Sequence, residues 1–282
     1  MTTKIEDFKL RDDTFLRISR FINKEYGIQL PLTKKVMVES RLQKRLRKLN
    51  IKSFSDYADY LFSPEGAKNE LINMVDLITT NKTDFFREAD HFEFLINDVL
   101  PYIAGSGRTA AENTCNVWSC GCSSGEEPYT LAMVLSEFAE NSSLKYRVKG
   151  TDISSEVLAR AKKAIYTEKD IEPVPMSFRY RYLLRSKGTT TSLVKIKPEI
   201  QGKVQFEYLN LMDEHYSITE EMDIVFFRNV AIYFDKSTQE EIVNKICRHI
   251  KPGGYLFIGH SESLFNMEVP VEKIGPTVYR RL

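Results

Sequence analysis

One short stretch constrains this chain more than any other: residues 116–130, NVWSCGCSSGEEPYT. Apolar Val117 and Trp118 run into two glycines, Gly121 and Gly125, and a pair of acids then opens a helix-like segment, LAMVLSEFAE. That order spells strand, tight glycine turn and helix. In a doubly wound sheet such a turn faces a nucleotide-like ligand, because glycine admits close backbone approach and the next helix offers unpaired N–H groups. A dinucleotide fold would set a pyrophosphate there. Glu126 and Glu127 instead put two carboxylates where phosphate would be repelled, so the pattern favours a cationic or zwitterionic ligand, of which S-adenosylmethionine is an example. The plain alternative is an ordinary glycine turn before a helix.

Later segments extend the pattern in chain order. YRVKGTDI, residues 146–153, reads as a strand with Asp152 at its tip, followed by the helical run SEVLARAKKAIY. An acid there can accept hydrogen bonds from both ribose hydroxyls of an adenosine-bearing ligand. With Ser154 and Ser155 behind it, Asp152 also reads as part of a helix cap. KVQFEYLNL, residues 203–211, ends near Asn210, whose amide offers an adenine edge both a donor and an acceptor. DIVFF at 223–227 runs into RNVAIYFD, then come a helix over 236–250, a turn KPGG, a strand YLFIG and a last strand TVYRRL. Strands alternating with helices predict a largely parallel α/β sheet.

The N-terminal third differs. Residues 12–62 read as three helical segments, broken at Gly27 to Pro31 and at Asn50 to Ser53. In the second segment Val38, Leu42, Leu46 and Leu49 form an apolar stripe, and Lys34, Arg41, Arg45 and Lys48 a basic stripe beside it. Seven basic residues face one acid, Glu39, between Lys34 and Lys48, which suits either a solvated surface or a docking face for an acidic partner. No aromatic residues interleave with those charges, as base stacking on RNA would require. At a net charge of +1 the whole chain is not an electrostatic partner for duplex DNA. With no run near the ~18 apolar residues of a membrane span, and a start, MTTKIEDFKL, lacking a signal-peptide core, the expected compartment is the cytoplasm. Cys115, Cys120 and Cys122 give the spacing C-x4-C-x-C, which fits no familiar zinc site, so these and Cys247 are expected as reduced thiols without metal.

Between the helical part and the sheet, residues 74–95 carry a polar knot, Thr79 to Thr83, followed by Phe85, Phe86 and Arg87. Together TTNKTDFFRE, SCGCSSGEEPYTLAM, RNVAIYFD and KPGGYLFIGHSES resemble the CheR-type chemotaxis receptor methyltransferases over nearly the whole chain. The resemblance implies a Rossmann-like class I methyltransferase sheet preceded by an all-helical domain and carrying a small antiparallel β-subdomain. On that basis residues 1–78 are expected as the helical domain, 79–100 as the connection and 101–282 as the methyltransferase domain, with the β-subdomain at about 179–209 around Gly188 and Gly202. It implies methyl transfer from S-adenosylmethionine to glutamate side chains on the cytoplasmic helices of chemoreceptors. It also suggests that a receptor C-terminal tail pairs with the β-subdomain, the alternative being a meander that only shields the cleft.

Carried over by motif position, the resemblance puts Asn81, Thr83 and Arg87 on the cofactor from the connection, Glu126 at its methionine end and Asp152 at its ribose. Asn210 and Leu211 fall at the adenine side, and Asn229 and Val230 close the cleft. Arg87 and Tyr233 are the expected catalytic pair, orienting a carboxylate that needs no general base because it is already ionised near neutral pH. Duller roles, a cap for Arg87 and core packing for Tyr233, remain open. The fourth strand ends in Arg228-Asn229-Val230-Ala231 rather than the Asn/Asp-Pro-Pro-aromatic turn often found in enzymes that methylate base amines. A non-catalytic protein that retains the cofactor cleft as a sensor or scaffold is the alternative function.

Overall fold

The computed structural model describes residues 9–105, 114–186 and 192–282. Its strands are β1 (Thr114–Cys120), β2 (Lys145–Asp152), β3 (Ile165–Thr167), β4 (Leu183–Arg185), β5 (Leu193–Ile196), β6 (Val204–Tyr208), β7 (Met222–Phe227), β8 (Ile250–Ile258), β9 (Val271–Gly275) and β10 (Val278–Arg281). The large sheet has seven strands in the order β6-β2-β1-β7-β8-β10-β9. From β6 to β8 neighbours are parallel, and β10 and β9 close the other edge antiparallel. Apolar residues fill both faces of the central strands: Ile224, Phe226 and Phe257 pack on one side, Val225, Leu256 and Ile258 on the other. Parallel strands covered by helices on both faces bury every position, which is why these segments read as continuous apolar runs.

Residues ahead of the sheet form the helices Asp12–Tyr26, Lys35–Lys48, Phe54–Leu61, Pro64–Asn69 and Leu71–Ile78. Phe15, Ile18 and Ile22 on the first and Val38, Leu42 and Leu46 on the second are fully buried in a separate core. Their spacing of three and four residues puts each set on one helix face. After Ile78 the chain crosses without helix to Glu88, then winds through Ala89–Phe94, a π-helical turn at Leu95–Val99, and Leu100–Gly105. Pro101 accounts for the wide turn, since its ring would clash with the carbonyl four residues back in α geometry. Phe92, Leu95, Val99 and Ile103 of this run belong to the core of the large sheet. No helix among the described residues is long and apolar enough to cross a membrane.

A small antiparallel sheet of order β3-β5-β4 is present, with β4 and β5 inside the expected 179–209 window and β3 ahead of it. Its first strand is cut from the run expected to be helical: Ala164 turns left-handed at φ 53° and stops the helix Ser155–Lys163. Met176–Tyr182 is helical, and Val204–Tyr208 joins the large sheet beside β2, as expected of the strand read at 203–211. Gly188 lies outside the described residues, and Gly202 follows the short helix Pro198–Gln201. Two further differences concern the last strands. The KPGG segment is a bulge inside β8, where pairing jumps from Met222↔Ile250 to Ile224↔Tyr255. β9 has no apolar alternation and is held by pairing with β10 across a turn with Thr277 at φ 55°.

Candidate active site

Strand order reverses between β1 and β7, and a crevice opens there beyond the carboxyl ends of the strands, as open α/β sheets require. The cleft encloses about 1190 Å³, counting the part open to solvent. Its walls come from the turn after β1, the tip of β2, the segments after β6 and β7, the Thr79–Thr83 connection, and Tyr26, Ile28 and Lys34 of the helical domain.

The glycine turn is needed sterically. Gly121 has φ 81°, and a Cβ there would stand 2.3 Å from Val230 Cγ2. Gly125 has φ 96°, with Ala161 Cβ and Tyr166 Oη each 3.0 Å from its Cβ position. Thr151 O accepts from the amides of Gly121 and Cys122, at 2.8 and 2.9 Å, and ties the turn to β2. The two acids that follow part company. Glu126 is buried and accepts from Ser124 Oγ at 2.9 Å; burial pushes its carboxyl up to about 7. Glu127, not Glu126, lines the cleft. Its two oxygens accept from Ser119 Oγ at 2.7 Å and Arg228 Nε at 2.8 Å.

Asp152 sits at the end of β2 with one oxygen accepting from Ser123 N at 2.8 Å and the other from Ser154 N at 2.9 Å. Burial raises its pKa, and those backbone bonds oppose the rise. Each oxygen keeps a further lone pair for a ligand hydroxyl. The capping alternative is also real but belongs mainly to Ser154, whose hydroxyl accepts from Val157 N. Asn210 and Leu211 line the cleft, yet the Asn210 amide is engaged: Nδ2 donates to Glu25 O at 2.9 Å and Oδ1 accepts from Met212 N at 3.0 Å. One N–H and one lone pair of that amide are thereby taken, and the second of each remains for a ligand.

Asn81, Thr83 and Arg87 approach from the connection, and Asn229, Val230 and Tyr233 from the segment after β7. Asn81 O accepts from Ser123 Oγ at 2.9 Å, fastening the connection to the glycine turn. Among the described residues the Arg87 side chain makes one hydrogen bond, a 3.3 Å contact to Lys82 O. Tyr233 Oη donates to Thr80 O at 3.4 Å, and burial raises its pKa. Behind these lies Arg228, its side chain 1% exposed. Besides Glu127 it reaches Arg87 O at 2.8 Å, His91 Nδ1 at 2.9 Å and Glu88 at 3.4 Å, and it lies over the rings of Phe92 and Phe226. Burial and the Arg228 charge hold His91 down at about 4, so it is neutral at pH 7. Glu88, His91 and His260 bring potential ligand atoms within 4.8 Å of one another, but the guanidinium on His91 and Glu88 is a cation that any metal would have to displace.

The basic stripe divides. Lys34 and Lys48 are exposed, and Lys34 lines the cleft. Arg41 is committed elsewhere: Nη1 donates to the carbonyls of Leu77, Ile78 and Thr79, at 3.3, 2.9 and 2.8 Å, closing the C-terminus of the helix Leu71–Ile78. Arg45 pairs with Glu70, a carboxylate 1% exposed that also accepts from Tyr57 Oη at 2.9 Å. These two arginines hold the helical domain together and are not the free docking face the sequence suggested.

Residues 81–280 match the SAM binding domain of the CheR methyltransferases, and residues 13–79 match their all-alpha domain. The chain belongs to the CheR methyltransferase family. A chemotaxis protein methyltransferase of Borreliella burgdorferi is 36% identical over 277 residues, 98% of this chain and 96% of its own length. That of Escherichia coli is 36% identical, covering 97% of this chain and 92% of its own length, and that of Klebsiella aerogenes 38%, with 96% and 90%. This CheR protein is accordingly an S-adenosylmethionine-dependent methyltransferase of chemotaxis, and nothing in these relatives supports a non-catalytic alternative.

The site suits that donor. A side chain at Gly121 has no room, Asp152 retains acceptor capacity, and the cleft sets Glu127 and Asp152 against Lys34, Lys82 and Arg87, a mixed field matched to a ligand with both charges. Sequence reasoning assigns no site role to Glu88, His91, Arg228 or Glu262, and reads Glu127 only as one of two acids at the glycine turn. Glu262 lies in a motif, GHSES, that was noticed without any role for the acid.

Proposed function

We propose that this methyltransferase esterifies glutamate side chains on the cytoplasmic helices of chemoreceptors, producing glutamyl methyl esters. The observation that carries the reading is Arg87, whose guanidinium faces the cleft with a single long bond and so retains N–H donors for an incoming carboxylate. Arg228, by contrast, spends Nε on Glu127 and Nη1 on Arg87 O, His91 and Glu88. A glutamate with an ordinary pKa of about 4.3 arrives ionised, so no residue needs to act as a base. When bound, S-adenosylmethionine supplies an electrophilic methyl group on a sulfonium centre. Asp152 would hold the ribose hydroxyls, and Glu127, in place of Glu126, the ammonium group. Asn81, Thr83, Asn229, Val230 and Leu211 would shape the walls, and Asn210 would meet the adenine with the N–H and lone pair its amide has left.

Arg87 and Tyr233 would orient the substrate oxygen, so that catalysis is mainly positioning and exclusion of water. The Arg87 contact must stay modest, because a tight ion pair would stabilise the ground state. The free lysines Lys34 and Lys48 would meet the acidic receptor face, and a receptor tail would add a strand at the edge of the small sheet. This reading places the protein in the cytoplasm. The test is incubation with labelled donor and receptor cytoplasmic fragments. Label released by mild base, as an ester releases methanol, supports it; base-stable label, or none, overturns it.

A further inference from the structure

Glu262 lies just past β8, 9% exposed and remote in sequence from every residue assigned above. Its carboxylate accepts four backbone N–H bonds. Oε1 takes those of Val230 at 2.9 Å and Ala231 at 2.8 Å, and Oε2 those of Asn229 at 2.9 Å and Gly259 at 2.6 Å. Three of the donors are consecutive. Asn229 is left-handed at φ 60°, and Val230 follows in the right-handed region at φ −116°, ψ −40°. Successive N–H groups in that left-then-right arrangement form a concave nest that binds anions. Here the chain fills the nest with its own carboxylate.

Consequences reach the cleft directly. Asn tolerates positive φ better than most non-glycine residues, and the Asn229 conformation receives further support from outside the turn. Glu262 supplies it through the main chain, and Glu88 through the side chain, accepting from Asn229 Nδ2 at 3.2 Å. Val230 comes next, with its Cγ2 occupying the space a Cβ on Gly121 would need. The carboxylate therefore fixes how closely the turn after β7 approaches the turn after β1, and both turns line the cleft. Gly259 shares the constraint: a Cβ there would stand 2.6 Å from Asn229 Nδ2 and 2.8 Å from Glu262 Oε2.

We propose that Glu262 is a positioning residue that preorganises the donor-binding wall formed by Asn229 and Val230, an inference that rests on reading the cleft as the donor site. Glu262→Gln retains the volume but loses one anionic acceptor and turns an amide N–H₂ toward N–H donors. Glu262→Asp keeps the charge but is too short to reach all four. Titration calorimetry with S-adenosylhomocysteine, well below the melting transition, should show affinity weakened about 10- to 100-fold by Glu262→Gln, the range for bonds to a charged group, and less by Glu262→Asp. Hydrogen exchange at residues 229–231 should quicken while β1 and β7 stay protected. In steady state the donor KM should rise with kcat at saturation near wild type.

Unchanged affinity in either folded variant would overturn the proposal. So would an affinity loss accompanied by equal loss of protection throughout the sheet, which would make Glu262 merely structural. If Glu262→Gln does not fold, the comparison of Glu262→Asp with wild type carries the same two outcomes. Failure of the wild-type protein to bind S-adenosylhomocysteine would instead remove the donor-site reading itself.

Discussion

Replacing Arg228 by methionine keeps an unbranched apolar stem and deletes a charge that the fold surrounds. Its side chain is 1% exposed, against 13% for Glu127 and 12% for Glu88, and its bonds to Glu127 and Arg87 O are both 2.8 Å. Breaking a buried pair typically costs ~3–5 kcal/mol, mostly because the remaining charge is stranded. Glu127 faces the cleft, where water can enter, and keeps its bond from Ser119, so the lower end, about 3 kcal/mol, applies. In a domain of this size each kcal/mol shifts Tm by ~2–4 °C, giving a fall of about 6–12 °C by scanning calorimetry. The second variant Arg228→Met/Glu127→Gln removes the stranded charge as well and should recover about 1–2 kcal/mol relative to Arg228→Met alone. Donor affinity should not recover, since Glu127 faces the ligand. If Arg228→Met melts like the wild type, or the two substitutions destabilise additively, the pair is not the unit described here.

Two further outcomes follow from charged groups that the fold has buried. Glu126 is held at about 7 against an ordinary 4.5, so between those values the folded state carries a proton that the unfolded state has lost. The Glu126 contribution to stability should therefore fall as pH rises from about 4.5 to about 7, by about 3 kcal/mol at most; Asp152 and Glu262, also raised by burial, add to the slope, so Glu126→Gln should reduce it in urea titrations, and an undiminished slope would exonerate Glu126. Arg45→Ala leaves Glu70 buried and unpaired and should destabilise the helical domain by about 3 kcal/mol, seen as faster exchange across residues 12–78 with the large sheet unaffected. Reversing exposed Lys44 and Lys48 should leave exchange unchanged, and similar loosening there would show that charge on that helix, not the Glu70 pair, is what matters.

How much of this was legible in the sequence depends on where each residue finds its partner. β1, β7 and the second half of β8 are apolar on both faces, and their runs announce them, whereas β2 carries core apolar residues only at Tyr146 and Val148. β3 and β9 are three and five residues with little pattern, and they exist because a neighbouring strand pairs with them. Glu126 and Glu127 could not be told apart by helical phase, because the helix they begin is buried on nearly every side in its first turns and has no stripe to set the angle. The Asn210 amide is engaged by a carbonyl 185 residues away, and Arg41 and Arg45 by groups 25 to 38 residues away. A sequence records which side chains are charged, but not which of those charges the fold neutralises. Arg87 and Arg228 make the point together. Both lie in the motifs that identified the family, both line the cleft, and Arg228 even bonds the carbonyl of Arg87. One is sealed among two carboxylates, a neutral imidazole and two rings. The other has, among the described residues, one long side-chain bond, and that difference is why the proposed function gives the substrate carboxylate to Arg87 rather than to Arg228.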